Sequence, residues 1–245
     1  GNCNIAIGCL AFRGFTGGSI TGISNIIMGR CAGYNFCSAS CNIILGNDAG
    51  KCNKVGSCNV AIGFQAFCRG SSICNSTSIG FRAGKGNSSG ASGQRNTFVG
   101  DSAGCNFTNG QDNVMVGHYA GRENTGGDAN TFVGNSAGAC SSNDAHCYNT
   151  YIGCGAGKKQ VTGQRNIAIG CGAYLPRSST SDQILFSGGY GTFNGPNQIH
   201  WFYGCCNGGF TNVGIGTTNP DDAVGAAVTS KLSVGIVSAY QLYGD

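Results

Sequence analysis

Short stretches of alternating side chains recur along the chain, and each begins with a polar residue. The stretch from Asn96 to Gly104, N-T-F-V-G-D-S-A-G, is typical of them. The ten copies begin at Asn4, Asn25, Asn42, Asn59, Ser76, Asn96, Asn113, Asn130, Asn149 and Asn166. Their spacing is 17 residues, and three spacings are lengthened, to 21, 20 and 19 residues. A fixed period indicates a repeat architecture, so we predict an all-β, elongated parallel β-solenoid (β-roll or β-helix) of about ten 17-residue coils.

The apolar positions within each copy suggest which side of the strand faces the core. With the first residue numbered zero, position one is β-branched in all ten copies, and position three is aliphatic or Met. Side chains alternate along a strand, so these two positions share a face, and we assign that face to the interior of the coil. Position two should then point outward.

Position two is apolar or aromatic in nine of ten copies, although we place it outside. A strand that is apolar on both faces is covered on both. We therefore predict an oligomer in which other protomers cover this face. Together with the resemblance described below it implies a homotrimer, and a dimer or a lone solenoid with an adhesive face is the alternative. The predicted protomer-interface residues are Ile27, Ile44, Phe98, Met115, Phe132 and Tyr151.

Two further positions suggest structural roles. Position four is Gly in every copy, and Ala follows three residues later, as small residues suit a tight corner. The predicted coil corners are Gly8, Gly29, Gly46, Gly63, Gly80, Gly100, Gly117, Gly134, Gly153 and Gly170. Stacked Asn residues at position zero could form an amide ladder, or each could simply tolerate a left-handed turn. The ladder would comprise Asn4, Asn25, Asn42, Asn59, Asn96, Asn113, Asn130, Asn149 and Asn166.

The period ends after Tyr174, which divides the chain into a repeat domain, residues 1–175, and a C-terminal β-rich segment, residues 176–245. We expect short irregular strands in the second part. It contains an aromatic cluster with His200, Trp201 and Tyr203. These three residues are candidates for a surface contact with carbohydrate, and core or interface packing is the alternative.

Composition and charge narrow the choice of partners. Gly accounts for 45 of 245 residues, charged residues for only 10%, and the net charge is +4. The sequence contains no run of Lys or Arg residues, so it does not indicate nucleic-acid binding. No apolar run reaches the roughly 18 residues of a membrane span, so we expect no membrane insertion. The first residue is a Gly in phase with the repeat, and we expect the chain to be a segment of a longer protein.

Sixteen cysteines are present, which is many for such a repeat. Cys41 and Cys58, and likewise Cys154 and Cys171, are 17 residues apart. Stacking would place each pair about 4.8 Å apart, within the range for a disulfide. Cys52 with Cys58, and Cys68 with Cys74, are six residues apart and could instead close linker loops. Reduced, space-filling thiols are the alternative that we favour for most of the cysteines.

The residues give little support for catalysis. The acidic residues are scattered, and none of the three His residues has a nucleophile at a recognisable spacing. We therefore expect a protein that is not an enzyme and that has no catalytic residues, metal or cofactor.

The repeat, with Asn at its start, Gly at position four and Ala-Gly at its end, resembles repeats of bacteriophage tail fibres, particularly those of marine and cyanobacterial phages. The segment N-V-G-I-G-T-T-N-P from Asn212 to Pro220, followed by K-L-S-V from Lys231, is similar to a segment of such fibres. The N-x-A-I-G form at Asn4–Gly8 and Asn166–Gly170 is also similar to head repeats of trimeric autotransporter adhesins. The resemblance covers residues 1–175 and 212–245. The 17-residue period is longer than the usual adhesin head repeat, and the resemblance does not explain the cysteines.

The resemblance implies a structural protein: a trimeric tail-fibre shaft or adhesin segment, located in the virion and used for host attachment. Its partners would be two further copies of itself, other fibre or virion proteins, and a host-surface glycan or protein receptor. A bacterial trimeric surface adhesin or an extracellular filament subunit is the alternative. A monomeric ice- or glycan-binding solenoid would need a flat, regular, exposed face, and the sequence shows no such array of Thr.

Overall fold

The computed structural model describes residues 1–14, 19–87, 90–140, 146–160, 162–188, 199–207, 210–215 and 231–234. These ranges contain β-strands, turns and bends and no helix. Ten three-residue strands match positions one to three of the ten repeats. They are β1 Ile5–Ile7, β2 Ile26–Met28, β3 Ile43–Leu45, β4 Val60–Ile62, β5 Thr77–Ile79, β6 Thr97–Val99, β7 Val114–Val116, β8 Thr131–Val133, β9 Thr150–Ile152 and β10 Ile167–Ile169. Four strands follow: β11 Gln183–Gly188, β12 Ile199–Asn207, β13 Phe210–Ile215 and β14 Lys231–Val234.

Strands β1 to β11 form one parallel sheet in which each strand pairs with its neighbours in the sequence. The register places like positions side by side, as in Phe98 opposite Met115. The predicted parallel β-solenoid of about ten 17-residue turns is therefore confirmed. Strand β11 continues the parallel stack beyond residue 175, because Ile184 pairs with Ile167.

The remaining strands change direction. Strand β12 is antiparallel to both β11 and β13, and β14 pairs in parallel with β13. The segment from Asn212 to Ile215 lies in β13, and Lys231–Val234 is β14. Residues 216–220 of the fibre-like segment lie outside the described residues, as do residues 235–245.

Position-four glycines form the corner that ends each short strand. All ten predicted corner glycines have φ between 123° and 134°, a region that side chains with a Cβ rarely adopt. The next coil is also very close: a Cβ added to Gly100 would lie 2.6 Å from the carbonyl oxygen of Gly117. Only Gly allows both the turn and the stacking distance.

The interior of the coil is lined by position two, not by positions one and three. Phe98, Met115, Phe132 and Tyr151 have 0% of their surface exposed, and Ile27 and Ile44 at most 1%. The position-seven alanines, such as Ala103 and Ala120, belong to the same core cluster. The prediction that position two points outward as a protomer interface is therefore wrong. Side chains alternate along a strand, so the face that packs against the position-seven alanines carries position two, and positions one and three point away from the core.

Candidate protomer interface

Positions one and three of β1–β11 form a regular, exposed, apolar face, which we call the strand face. Its residues are exposed or half-buried from β1 to β10. It contains nine of the fifteen large hydrophobic side chains that are exposed in the described chain. They are Ile5, Ile7, Ile26, Met28, Ile43, Ile79, Val114, Ile152 and Phe186. Monomeric proteins rarely expose such a continuous apolar surface.

The chemistry of the strand face is uniform along its length. Position one is aliphatic except at Thr77, Thr97, Thr131 and Thr150, and position three is aliphatic or Met until Phe186 in β11. No charged residue occupies either position in β1–β11. The two columns repeat at the strand spacing of about 4.8 Å. Such a surface fits another apolar surface with the same repeat.

Main-chain hydrogen bonds hold the face in register. The Val114 N–H donates to the Asn130 carbonyl oxygen at 2.8 Å, and the Gly117 N–H donates to the Val99 carbonyl oxygen at 2.8 Å. Equivalent bonds recur between successive coils. The columns are therefore fixed to the backbone lattice and do not depend on loop conformation.

A buried amide ladder runs behind the face, as predicted. The Asn113 Nδ2 donates to Asn96 Oδ1 at 3.1 Å, and Asn130 Nδ2 donates to Asn113 Oδ1 at 3.1 Å. Each Oδ1 also accepts the main-chain N–H of the next Asn, at 3.0 Å in both cases. The same side-chain bonds link Asn4, Asn25, Asn42 and Asn59, and link Asn130 to Asn149.

Ser76 is the one interruption among the ten repeats, and it takes part in the same column. Its N–H donates to Asn59 Oδ1 at 3.0 Å, and its Oγ accepts the Asn96 N–H at 3.1 Å. At the other end, the Asn166 N–H donates to Asn149 Oδ1, and the Gln183 N–H donates to Asn166 Oδ1, both at 2.9 Å. The polar column therefore extends through the eleventh coil.

The ladder also shows which signal identifies the strand face. Positions zero and two share a face, because side chains alternate. An Asn that bonds to its copies within the stack is inside the coil, so the residue two positions later is inside as well. The β-branched residues at positions one and three favour the opposite assignment of the inner face. The signal that identifies the inner face is the Asn at position zero, which lies on the same side of the strand as position two.

The aromatic cluster lies in β12, where the backbone of His200 pairs with Ser187 and that of Tyr203 with Leu185. Trp201 lies between them in the same strand. The side chains of His200, Trp201 and Tyr203 are outside the described part of the structure, so their role in a surface contact stays a prediction. Next to them, the rings of Phe186 and Phe202 are 5.8 Å apart.

Neither candidate pair, Cys41 with Cys58 or Cys154 with Cys171, is joined by a disulfide in the described part of the chain. The Cys68 side chain is buried, and this burial raises the pKa of its thiol to about 11. This thiol is therefore protonated and unreactive at neutral pH.

Other kinds of site receive no support from the geometry. The described residues contain no group of three or more His, Cys, Asp or Glu side chains placed to hold a metal ion. In the same residues, no helix is long and apolar enough to cross a membrane.

Comparison with known proteins adds no family. No family model, curated protein or solved structure matches the chain. The strand face and the resemblance of the repeat to tail-fibre and adhesin repeats are therefore the observations that bear on function.

Proposed function

We propose that this chain is a shaft segment of a homotrimeric fibre, in which the strand faces of three protomers pack together along a common axis. The observation that carries the proposal is the continuous exposed apolar face formed by positions one and three. Burial of apolar area at about 25 cal/mol per Å² favours association strongly when the surface is this long. The copy number of three rests on the resemblance to tail fibres and adhesin heads, since a flat face could also pair with one other copy.

In this proposal the fibre acts mechanically, as a tail-fibre shaft that holds a receptor-binding tip away from the virion. Eleven stacked strands span about 50 Å at 4.8 Å per strand. Main-chain hydrogen bonds join every layer of the stack, and the amide ladder joins most of them, which suits a stiff spacer. A bacterial surface adhesin or an extracellular filament would use the same geometry, and the sequences that flank this segment in its parent protein would separate these alternatives.

The test is the oligomeric state of the purified chain, measured by light scattering coupled to size exclusion. We expect the mass of three chains. Val114→Lys places a charge on the strand face and should give monomers. Val55→Lys is the matched control, because Val55 lies outside the strand face. Its side chain is also exposed, with 49% of its surface accessible against 37% for Val114. A monomeric parent protein, or equal dissociation of both variants, would contradict the proposal.

A second candidate uses the same face in a monomer. Position one carries Thr in four coils, at Thr77, Thr97, Thr131 and Thr150, beside aliphatic side chains at position three. Such an array could adsorb to an ordered surface, such as ice. A monomeric protein that slows ice-crystal growth, and loses this effect on Thr97→Lys, would favour this candidate over the fibre.

A further inference from the structure

Cations occupy one column of the solenoid in every second coil. At position nine, odd-numbered coils carry a basic residue, and the coils between them carry an uncharged one. The basic residues are Arg13, Lys51, Lys85, Arg122 and Lys158, and the intervening residues are Tyr34, Cys68, Cys105 and Ala139. We call this column, with the position-ten residues beside it, the basic edge.

Main-chain bonds show that these residues stack. The Cys52 N–H donates to the Cys68 carbonyl oxygen at 3.0 Å, and the Arg69 N–H donates to the Lys85 carbonyl oxygen at 2.9 Å. The Asn106 N–H bonds in the same way to the Arg122 carbonyl oxygen at 2.9 Å. Cations in alternate coils are therefore about 9.6 Å apart, which is twice the strand spacing. The sequence contains no run of basic residues, so only the 17-residue phase brings these cations into line.

A cleft of about 680 Å³ opens on the basic edge between the third and fifth coils. Four cations line it: Lys51, Arg69, Arg82 and Lys85. Lys51 forms an ion pair with Asp48 at 3.1 Å. The remaining three have no carboxylate partner within the described chain.

The two arginines of the cleft are held by neutral acceptors. Arg69 donates to the Asn87 carbonyl oxygen at 3.0 Å, and Arg82 donates to Gln65 Oε1 at 3.3 Å. These bonds orient the guanidinium groups without neutralising them. Arginine in such a position presents further donors to an anionic group such as a carboxylate or sulfate.

An exposed aromatic pair adjoins the cleft. The rings of Phe64 and Phe81 are stacked, with centroids 5.4 Å apart and planes 13° apart. Both are exposed, and the Arg82 guanidinium lies 4.8 Å from the centre of the Phe81 ring. Arg82 thus connects an apolar platform to the cationic cleft. A sugar offers the matching surface, because its ring has an apolar face and its substituents can carry the charge.

We propose that the basic edge binds a linear acidic polysaccharide along the rod, with the cleft of Arg69, Arg82 and Lys85 as its centre. The inference goes beyond the proposed shaft function, because it adds a glycan-binding surface along the rod. The wide spacing of the cations favours a sparsely charged polymer. Double-stranded DNA carries one charge per about 1.7 Å, which column cations about 9.6 Å apart would leave largely unneutralised.

The test uses the whole assembled chain with two probes, alginate for carboxylates and κ-carrageenan, which carries one sulfate per disaccharide, for sulfates, and neutral dextran as the blank. Arg69→Gln/Lys85→Gln should weaken binding of the preferred probe at least tenfold and flatten the salt dependence. Arg95→Gln/Arg165→Gln removes the same charge from position −1, where both arginines pair with Asp residues. This control should change binding less than twofold.

Several outcomes would overturn the inference. They are no binding of either acidic probe at low salt, equal loss in both double variants, or tighter binding of a thirty-residue oligothymidylate than of either polysaccharide. Light scattering on the same samples separates this result from the fibre proposal. If the chain is a trimer that binds neither polysaccharide, only the glycan site is contradicted. If it is a monomer that binds alginate, only the trimer is contradicted.

Discussion

At the residue scale, His146 is an ionisable group in an apolar setting. It has no exposed surface, and its Nε2 lies 3.2 Å from the Tyr151 hydroxyl. The ring of Phe132 is 5.7 Å away, and the His146 Nδ1 has no hydrogen-bond partner in the described structure. Burial lowers the pKa of His146 from 6.5 to about 4 and raises the pKa of Tyr151. Both side chains are therefore neutral inside the folded coil at neutral pH.

This histidine should make the fold sensitive to mild acid. Its folded-state pKa is lower than its unfolded value, so the unfolded chain takes up the proton first. The contribution of neutral His146 to the free energy of unfolding is fully present above pH 6.5. It should be lost as the pH falls from 6.5 to 4, and a pKa shift of this size corresponds to about 3 kcal/mol at most. Denaturant unfolding across this range should show the loss in the parent protein.

Two variants check the assignment to His146. His146→Phe should remove most of the pH dependence between pH 6.5 and 4, whatever it does to the stability at pH 7. Tyr151→Phe keeps the histidine buried and should keep the pH dependence. An unchanged slope in His146→Phe would show that another group is responsible.

At the scale of the elements, the ladder makes adjacent strands depend on one another. Asn113 contributes four ladder bonds, two as donor to Asn96 Oδ1 and two as acceptor from Asn130. It also donates to the Gly127 carbonyl oxygen at 2.8 Å. Asn113→Ala would leave buried donors and acceptors without partners, each at a cost of about 1–3 kcal/mol. We expect a loss of several kcal/mol in the free energy of unfolding.

The chain supplies its own control for this prediction. Ser76 fills the same position and keeps two main-chain contacts of the column, one as donor and one as acceptor. Asn113→Ser should therefore cost clearly less than Asn113→Ala in the same unfolding experiment. If the two variants were equally stable, the hydrogen bonds of the ladder would not be what stabilises the column.

The elements also show how far the sequence could be taken. The period, the ten strands, the corner glycines and the ladder follow from the residue pattern, because each depends on contacts between like positions. Which face of each strand points inward does not follow from the pattern. Both faces are apolar, and β-strand propensity favours β-branched residues on either face. The basic edge was missed for another reason: Arg69 and Lys85 are far apart in the sequence, and only the stack places them in one cleft.

At the scale of the whole molecule, the solenoid is a series of nearly interchangeable layers. The main-chain and side-chain bonds between Asn96 and Asn113 have the same lengths as those between Asn113 and Asn130. The spacings between repeats are never shorter than 17 residues, and the longer ones add residues in the linkers. Stability in such an array is approximately a sum over layers and their interfaces. Removing one complete layer should therefore leave the rest intact.

Deletion of residues 113–129 tests this directly. It would stack Asn130 on Asn96 and Phe132 on Phe98, and the core already accepts stacked aromatic rings, as in Phe132 with Tyr151 at 5.0 Å. We expect a folded protein with an unchanged circular dichroism spectrum and a rod shorter by about 4.8 Å in small-angle scattering.

Deletion of residues 113–128 is the matched control, because it leaves one residue more between the same two coils. Linkers with two to four extra residues already occur in the chain, so one extra residue should form a bulge and leave the fold intact. Deletion of residues 112–129 removes one residue too many and keeps Asn130 in the ladder. It would leave a spacing of 16, which is shorter than any in the chain, and a slip of one residue would exchange the core and strand faces. We therefore expect this variant to lose cooperative unfolding and to aggregate. If it were as stable as the 17-residue deletion, the coil length would not be fixed by the parity of the strand.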